Sequence, residues 1–276
     1  MLHHHRLRAE DGSSVVSYDR AANLQEQLRG EILSWKSLPE DEASTDIPRP
    51  NLISFESTPT FTLGRRQEAL PAEHASRLQQ PLSVSLLDRK RAAIRDAAYT
   101  PQVRKTNRGG LTTYHGPGQL VFWPVLDMHS PLYPHFGVAS YAAHLEATTQ
   151  RLLAAFGIRT YTSRDEPGVW VATSEGTERK IAALGVHHRR YVTALGIALN
   201  VDIPVAGGED VNPWARFVPC GLDGKLVTSV AAEVKGRREA WDLAELARRW
   251  ADMFEEGLRD PSKRIFGDAT EQRHRI

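Results

Sequence analysis

The chain has one cysteine, Cys220, in 276 residues, so no intrachain disulfide can form and a reducing compartment rather than secretion is expected. It has no long hydrophobic run. Leu120–Leu126 and Tyr191–Val201, its longest apolar stretches, fall far short of the roughly 20 residues a membrane-spanning helix needs. It also has no charge excess, with 35 Lys and Arg against 34 Asp and Glu, so nothing overall draws it to nucleic acid or anionic lipid and any electrostatic docking must be local. Its glycines match neither the dinucleotide nor the P-loop spacing. There are eleven histidines but no second cysteine to complete a common zinc set, and the adjacent His187 and His188 would point to opposite faces of a strand; no metal is expected. The N-terminal segment turns from basic to acidic without the apolar core of a signal peptide, and its His3-His4-His5 run is left unassigned.

What remains is ordinary globular material, 41% apolar and 25% charged, read as one catalytic domain over 1–276 with its core at about 14–258. Ala21, Leu24, Leu28, Ile32 and Trp35 recur at helical spacing between Ser17 and Leu38. Residues 37–50, acidic and proline-rich, read as an inserted loop, and 76–105 as a second insertion with a possible helix around Asp88–Ala98. Asn51–Glu56, Phe61–Gly64, Leu120–Leu126 and Val169–Ala172 read as strands. Lys180–Val186 and Tyr191–Val201 form a hairpin whose tip, His187 to Arg190, is basic. Helices are expected over Ala139–Phe156, with Gly157 at the cap, and over Glu239–Leu258; the charged tail from Asp260 is expected to be mobile. Strands and helices without a strict alternation define an α+β domain, a mixed β-sheet flanked by helices.

Three segments have a composition unsuited to packing alone. Arg108–Leu120, RGGLTTYHGPGQL, puts glycines beside Arg108 and His115, which suits close approach of a ligand to the main chain and equally suits a surface turn. Lys180–Val201 places Ala183, Gly185, Gly196 and Ala198 inside β-forming sequence, where glycine weakens a strand unless something else fills the space. Val218–Val230 holds Cys220 between Pro219 and Gly221. A lone cysteine is more often a buried small hydrophobe than a nucleophile, but these neighbours put the sulfur at a turn, where the Gly221 amide can face an oxyanion.

In this order the three segments resemble the lipoyl(octanoyl) transferase family, grouped with the lipoate- and biotin-protein ligases. The likeness is carried by RGGLTTYHGPGQ, KIAALG, GIALNV and PCG followed by VTS, with DEPGVWV as a weaker match. The resemblance implies a biotin/lipoate-protein ligase-like fold. It also implies an acyltransferase that takes octanoyl from acyl carrier protein onto Cys220 as a thioester and passes it to a lysine of a lipoyl domain, with Lys180 as the charged partner of the sulfur. Arg108, Gly109, Gly110, Leu111, Thr112, Thr113, Tyr114 and His115, together with Ala183, Leu184, Gly185, Gly196, Ile197 and Ala198, would line the substrate site. The implied donor is octanoyl-acyl carrier protein. The implied acceptors are lipoyl domains of 2-oxoacid dehydrogenase complexes and the glycine cleavage H protein, in mitochondria if the source is eukaryotic and otherwise in the cytoplasm. One departure stands out: Leu195 occupies the position before Gly196 where the family usually has histidine.

The chemistry suits these residues. A free thiol is only a few per cent ionised at neutral pH, and a neighbouring ammonium raises that fraction. Transfer between thioesters is nearly isoenergetic and thioester to amide is downhill, so no cofactor is called for. Six or seven buried methylenes at about 0.8 kcal/mol each would give roughly 5 kcal/mol of acyl-chain binding. The alternatives are an ATP-dependent lipoate or biotin ligase, against which the placement of Cys220 argues, and a silent carrier-binding homologue, against which Cys220 and Lys180 together argue.

Overall fold

The computed structural model describes residues 1–10, 13–39, 46–88, 93–172, 177–217, 226–234 and 241–266, with backbone alone at 85–88, 93–96 and 172. The strands are β1 (His3–Arg6), β2 (Val15–Val16), β3 (Asn51–Ser57), β4 (Thr60–Leu63), β5 (Leu82–Asp88), β6 (Ala93–Tyr99) and β7 (Gln102–Lys105). They continue as β8 (Thr112–His115), β9 (Gln119–Val125), β10 (Thr160–Thr162), β11 (Gly168–Ala172), β12 (Glu178–Arg189), β13 (Val192–Asn200) and β14 (Leu226–Val227). A nine-stranded mixed sheet runs β1-β3-β9-β13-β12-β11-β10, with β2 added to β3 and β14 to β12; β7-β4-β8 form a second sheet and β5-β6 a separate hairpin.

β9 is buried along its whole length, as its unbroken apolar run predicts, because both faces of the main sheet are covered. Leu120 and Phe122 face the larger core, beneath the helices Val138–Ala154 and Leu243–Arg259; there the Phe122 and Trp250 rings stack at 4.2 Å. Val121, Trp123 and Val125 face the opposite core, under the first helix, Tyr18–Trp35. Each side chain fully buried in this way contributes roughly 1.5–3 kcal/mol. Phe61, Tyr114 and Trp214 nucleate a third cluster around the small sheet. No helix among the described residues is long and apolar enough to cross a membrane.

Several expectations need correction. Residues Asp88–Ala98 are not helical where described: Ala93–Tyr99 is β6, paired antiparallel with β5 from Leu82↔Tyr99 onward, and this ladder outweighs the helical propensity of the alanines. The last long helix starts at Leu243 rather than Glu239, because the Asp242 carboxylate caps it by accepting from the Ala244 and Glu245 amides at 3.0 and 3.1 Å. The segment after Asp260 is anchored as far as Arg264, whose buried guanidinium donates to the Gly257 and His135 carbonyls and lies 3.5 Å from the Phe136 ring centre. The unassigned histidine run is β1, an edge strand parallel to β3, with His4 Nε2 2.7 Å from Ser54 Oγ and His5 Nε2 2.9 Å from Asn51 Oδ1.

The β12–β13 hairpin closes on Arg190 and Tyr191, with φ of 50° and 66°, the left-handed pair of a two-residue turn. Neither is glycine, and contacts offset the strain: Tyr191 stacks on His129 at 3.8 Å, while Arg190 donates to Ser37 Oγ and the Lys36 carbonyl at 2.9 and 2.8 Å. A little further along β13 lies a tighter constraint. A Cβ placed on Gly196 would stand 2.1 Å from the Phe122 carbonyl oxygen of β9. Gly196→Ala is therefore expected to lower the unfolding free energy by at least about 1–3 kcal/mol, read as a fall in the urea midpoint at constant m-value.

Candidate active site

The main cavity, about 560 Å³, opens between the main sheet, the Arg108–Gly110 loop and the Asp165–Pro167 turn. Lys180 lines it and is only 7% exposed. Its Nζ donates to the Pro167 carbonyl at 3.3 Å and lies 4.5 Å from the centre of the Trp170 ring. A break in register explains how it gets there. Val169 of β11 pairs with Ala182 but Trp170 pairs with Lys180, so Ile181 is the extra residue of a β-bulge. In an unbroken strand residues three apart lie on opposite faces; here Lys180 and Ala183 both line the cavity, while Ile181 and Ala182 between them are buried in the larger core.

Behind Lys180 stands Glu146, on the Val138–Ala154 helix, which accepts the Gly168 amide at 2.7 Å and so fixes the turn that carries the Pro167 carbonyl. Burial pushes its carboxyl up to about 7, against the opposing pull of the Gly168 hydrogen bond and the Lys180 charge. Only helical phase, in a sequence with many similar glutamates, could have pointed to Glu146.

The glycine-rich segment divides by strand alternation. Arg108, Gly109, Gly110, Thr113 and His115 line the cavity. Thr112 and Tyr114 lie on the other face of β8: Thr112 donates to Gln67 Oε1 at 2.9 Å, and Tyr114 packs against Phe61 and Trp214 in the third core. Leu111 is not among the lining residues either; its carbonyl accepts the Gly64 amide. Ala183, Leu184, Gly185, Gly196, Ile197 and Ala198 all line the cavity. The two glycines do so for an unexpected reason, since a side chain at Gly185 would meet the Arg108 stem at 3.2 Å and one at Gly196 the β9 backbone. They make room for the protein itself.

Tyr18, Val121, Trp123 and Leu195 close the apolar end of the cavity beneath the first helix. Leu195 has φ of 62° and stands across from Pro124, which has no amide to give to the β9–β13 ladder; its own amide donates to Gln25 Oε1 of the first helix at 2.6 Å. Gln25 is thus a structural member of the site that sequence reading missed, because a glutamine on a helix face resembles any solvated residue.

His115 is buried, and the protons around it can be assigned in order. The Thr228 carbonyl can only accept, so Asn200 Nδ2 donates to it at 3.0 Å and Asn200 Oδ1 accepts from Gln119 Nε2 at 2.9 Å. Gln119 Oε1 is then the acceptor for His115 Nδ1–H at 2.8 Å, which leaves Nε2 as the lone-pair nitrogen of a cavity-lining imidazole. Burial lowers this imidazole to about 4, the Gln119 bond opposing the shift and the Arg108 charge adding to it. At neutral pH His115 is an uncharged acceptor.

Cys220 lies outside the described residues. The described chain stops at Phe217, which packs edge-on against Phe61 at 5.6 Å, and resumes at Leu226. Val227 there pairs with Lys180, and the Thr228 amide donates to the Lys180 carbonyl at 3.0 Å. No group of three or more His, Cys, Asp or Glu suited to a metal occurs among the described residues.

The architecture is that of the lipoate-ligase class of catalytic domain. The P. falciparum LipL1–lipoate complex superposes with a TM-score of 0.51 at 12% identity, over 90% of this chain and 62% of that one. Lipoate-protein ligase A bound with ATP gives 0.50 at 15%, over 93% and 85%. At the level of sequence, the family model described as the lipoyl protein ligase A/B catalytic domain matches residues 39–255, and the chain belongs to that family. Among its relatives are the mitochondrial octanoyl-[acyl-carrier-protein]:protein N-octanoyltransferase LIPT2 of Danio rerio, 34% identical over 80% of both chains, and an octanoyltransferase of Flavobacterium johnsoniae, 33% identical over 79% of this chain and 82% of that one.

The buried imidazoles make stability sensitive to acid. His115 falls from 6.5 to about 4, and His144, buried against the Phe254 carbonyl, to about 3. Between each folded value and 6.5 the unfolded chain binds the proton and the folded one does not, so stability is full above pH 6.5 and is lost on acidification, on the order of 3 kcal/mol per group by pH 4. Glu146 acts in the opposite direction, since between 4.5 and about 7 its folded form holds the extra proton; this offsets one histidine. Urea unfolding at pH 7 and pH 4.5 should show a net fall at the lower pH, smaller in His144→Leu if that variant folds.

Proposed function

We propose that this protein transfers an octanoyl group from acyl carrier protein to a lysine of a lipoyl domain through a thioester on Cys220. The observation that supports this most is the bulge-directed placement of Lys180 in the wall of a cavity whose far end is apolar, in a chain of the octanoyltransferase relatives' family. The Cys220 thiolate attacks the donor's carbonyl carbon, forming a new C–S bond as the carrier thiol leaves with its electron pair. The acceptor amine then attacks the same carbon, its proton passes to a base in the site, and the Cys220 thiolate leaves. The Lys180 ammonium stabilises the thiolate in both steps. The Lys180, Pro167 and Glu146 arrangement holds that ammonium in place. The acceptors are lipoyl domains of 2-oxoacid dehydrogenase complexes and the glycine cleavage H protein, and the protein acts in mitochondria in a eukaryote and in the cytoplasm in a bacterium. Arg189, exposed at the hairpin tip, and Arg66, at the cavity rim, suit acidic carrier domains.

Incubation with octanoyl-carrier protein followed by intact-mass measurement should show one octanoyl adduct, absent in Cys220→Ser. Lys180→Ala should slow transfer by roughly 10²–10⁴-fold and raise the pH at which the thiol alkylates. An adduct that persists in Cys220→Ser would overturn the thioester route.

Leu195 closes the acyl end in a backbone conformation that glycine adopts freely, so Leu195→Gly removes the side chain while relieving about 1–2 kcal/mol of backbone strain. Its kcat/KM for decanoyl relative to octanoyl should rise about 10-fold. An unchanged chain-length profile would place the acyl end elsewhere.

A further inference from the structure

Beside the main cavity lies a second, smaller cleft of about 230 Å³, lined by Arg65, Lys105, Thr106 and Asn107. Arg65 lines both. The cleft is built by strand geometry: β4 and β7 run parallel with Leu63 beside Lys105, so Lys105 at the end of β7 and Arg65, two residues beyond the end of β4, line the same cleft. The floor is fixed. Thr106 donates both its amide and its hydroxyl to the Leu63 carbonyl at 2.9 and 3.0 Å, and the Arg65 amide donates to the Arg108 carbonyl at 2.9 Å.

Several of this protein's arginines are neutralised by carboxylates. Arg77 is paired with Glu209, Arg104 with Asp19, Arg179 with Glu233 and Arg248 with Glu245. Neither Arg65 nor Lys105 has a carboxylate partner among the described residues, and the side chains that complete the cleft, Thr106 and Asn107, are neutral. A guanidinium and an ammonium that line one concave site without a carboxylate favour an anion there, and a tetrahedral oxyanion accepts from both donors together.

The geometry points to this cleft as a phosphate subsite that holds the phosphodiester of the phosphopantetheine arm on the acyl donor. The assignment rests on the acyl-transfer reading: an arm that delivers a thioester into the main cavity leaves through its mouth, where Arg65 joins the two spaces. A nucleotide phosphate has the same chemistry, and the test separates the two sources.

Wild type and Lys105→Gln are compared with octanoyl-4′-phosphopantetheine and octanoyl-pantetheine as donors. Lys105 is exposed and lies outside the main cavity, so the variant leaves the acyl site untouched. The wild type should prefer the phosphorylated donor by about 10-fold in kcat/KM, through KM, and Lys105→Gln should bring that ratio close to one without changing turnover of the dephosphorylated donor. Inorganic phosphate should compete with the phosphorylated donor in the wild type and much less in the variant. Equal use of both donors by the wild type, or equal loss with both in the variant, would overturn the proposal. Formation of octanoyl-adenylate from ATP and free octanoate, sensitive to Lys105→Gln, would assign the cleft to a nucleotide and overturn the carrier arm as its occupant. If the wild type turns over neither donor, the acyl-transfer reading itself fails and the carrier-arm assignment with it.

Discussion

A regular β-sheet has no room for a substrate, because its backbone groups must pair and its side chains must alternate. The candidate site here depends on two interruptions of that order. At Ile181 an extra residue turns Lys180 toward the cavity side, and across from Pro124 the ladder loses a donor and Leu195 takes a left-handed conformation. Both interruptions are compensated by groups from outside the sheet: the Pro167 carbonyl and Trp170 face receive the Lys180 ammonium, and Gln25 on the first helix receives the Leu195 amide. The cavity is thus the space left where the pairing rules are broken at a cost that neighbouring elements offset.

The same economy governs charge. His115 is held neutral by burial and given a fixed tautomer by the Gln119–Asn200–Thr228 chain of hydrogen bonds, while Glu146 is left near its midpoint at neutral pH behind the turn that seats Lys180. An uncharged acceptor thus stands on one wall of the cavity and a lysine amine on another.

Much of this was legible in the sequence where the signal is periodic or local. The apolar run of β9, the two long helices around Leu145 and Trp250 and the β12–β13 hairpin follow from side-chain spacing, and the glycine-rich segment and KIAALG carry the family likeness. Other features depend on which strand lies beside which, and spacing is silent about that. The alanine- and arginine-rich stretch near Ala93 took its conformation from β5. Tyr114 and Thr112 sit within the most recognisable motif yet face away from the cavity, because alternation along β8 separates them from Thr113 and His115. Gly185 and Gly196 were legible as positions needing space, but not as positions where that space goes to Arg108 and to Phe122. Glu146 and Gln25 carry no motif at all.

The hydrogen-bond chain that fixes His115 has a consequence for how the protein fails. It joins β8, β9, β13 and the segment after β14, so its links close only when strands distant in the chain are all in register. A structure with so many non-local links forms late in folding, and it opens as one cooperative unit instead of fraying from an edge. Amide protons at Gln119, Asn200 and Thr228 therefore belong to the slowest-exchanging set, and thermal inactivation should follow global unfolding with no preceding phase in which the fold persists and the imidazole has lost its orientation.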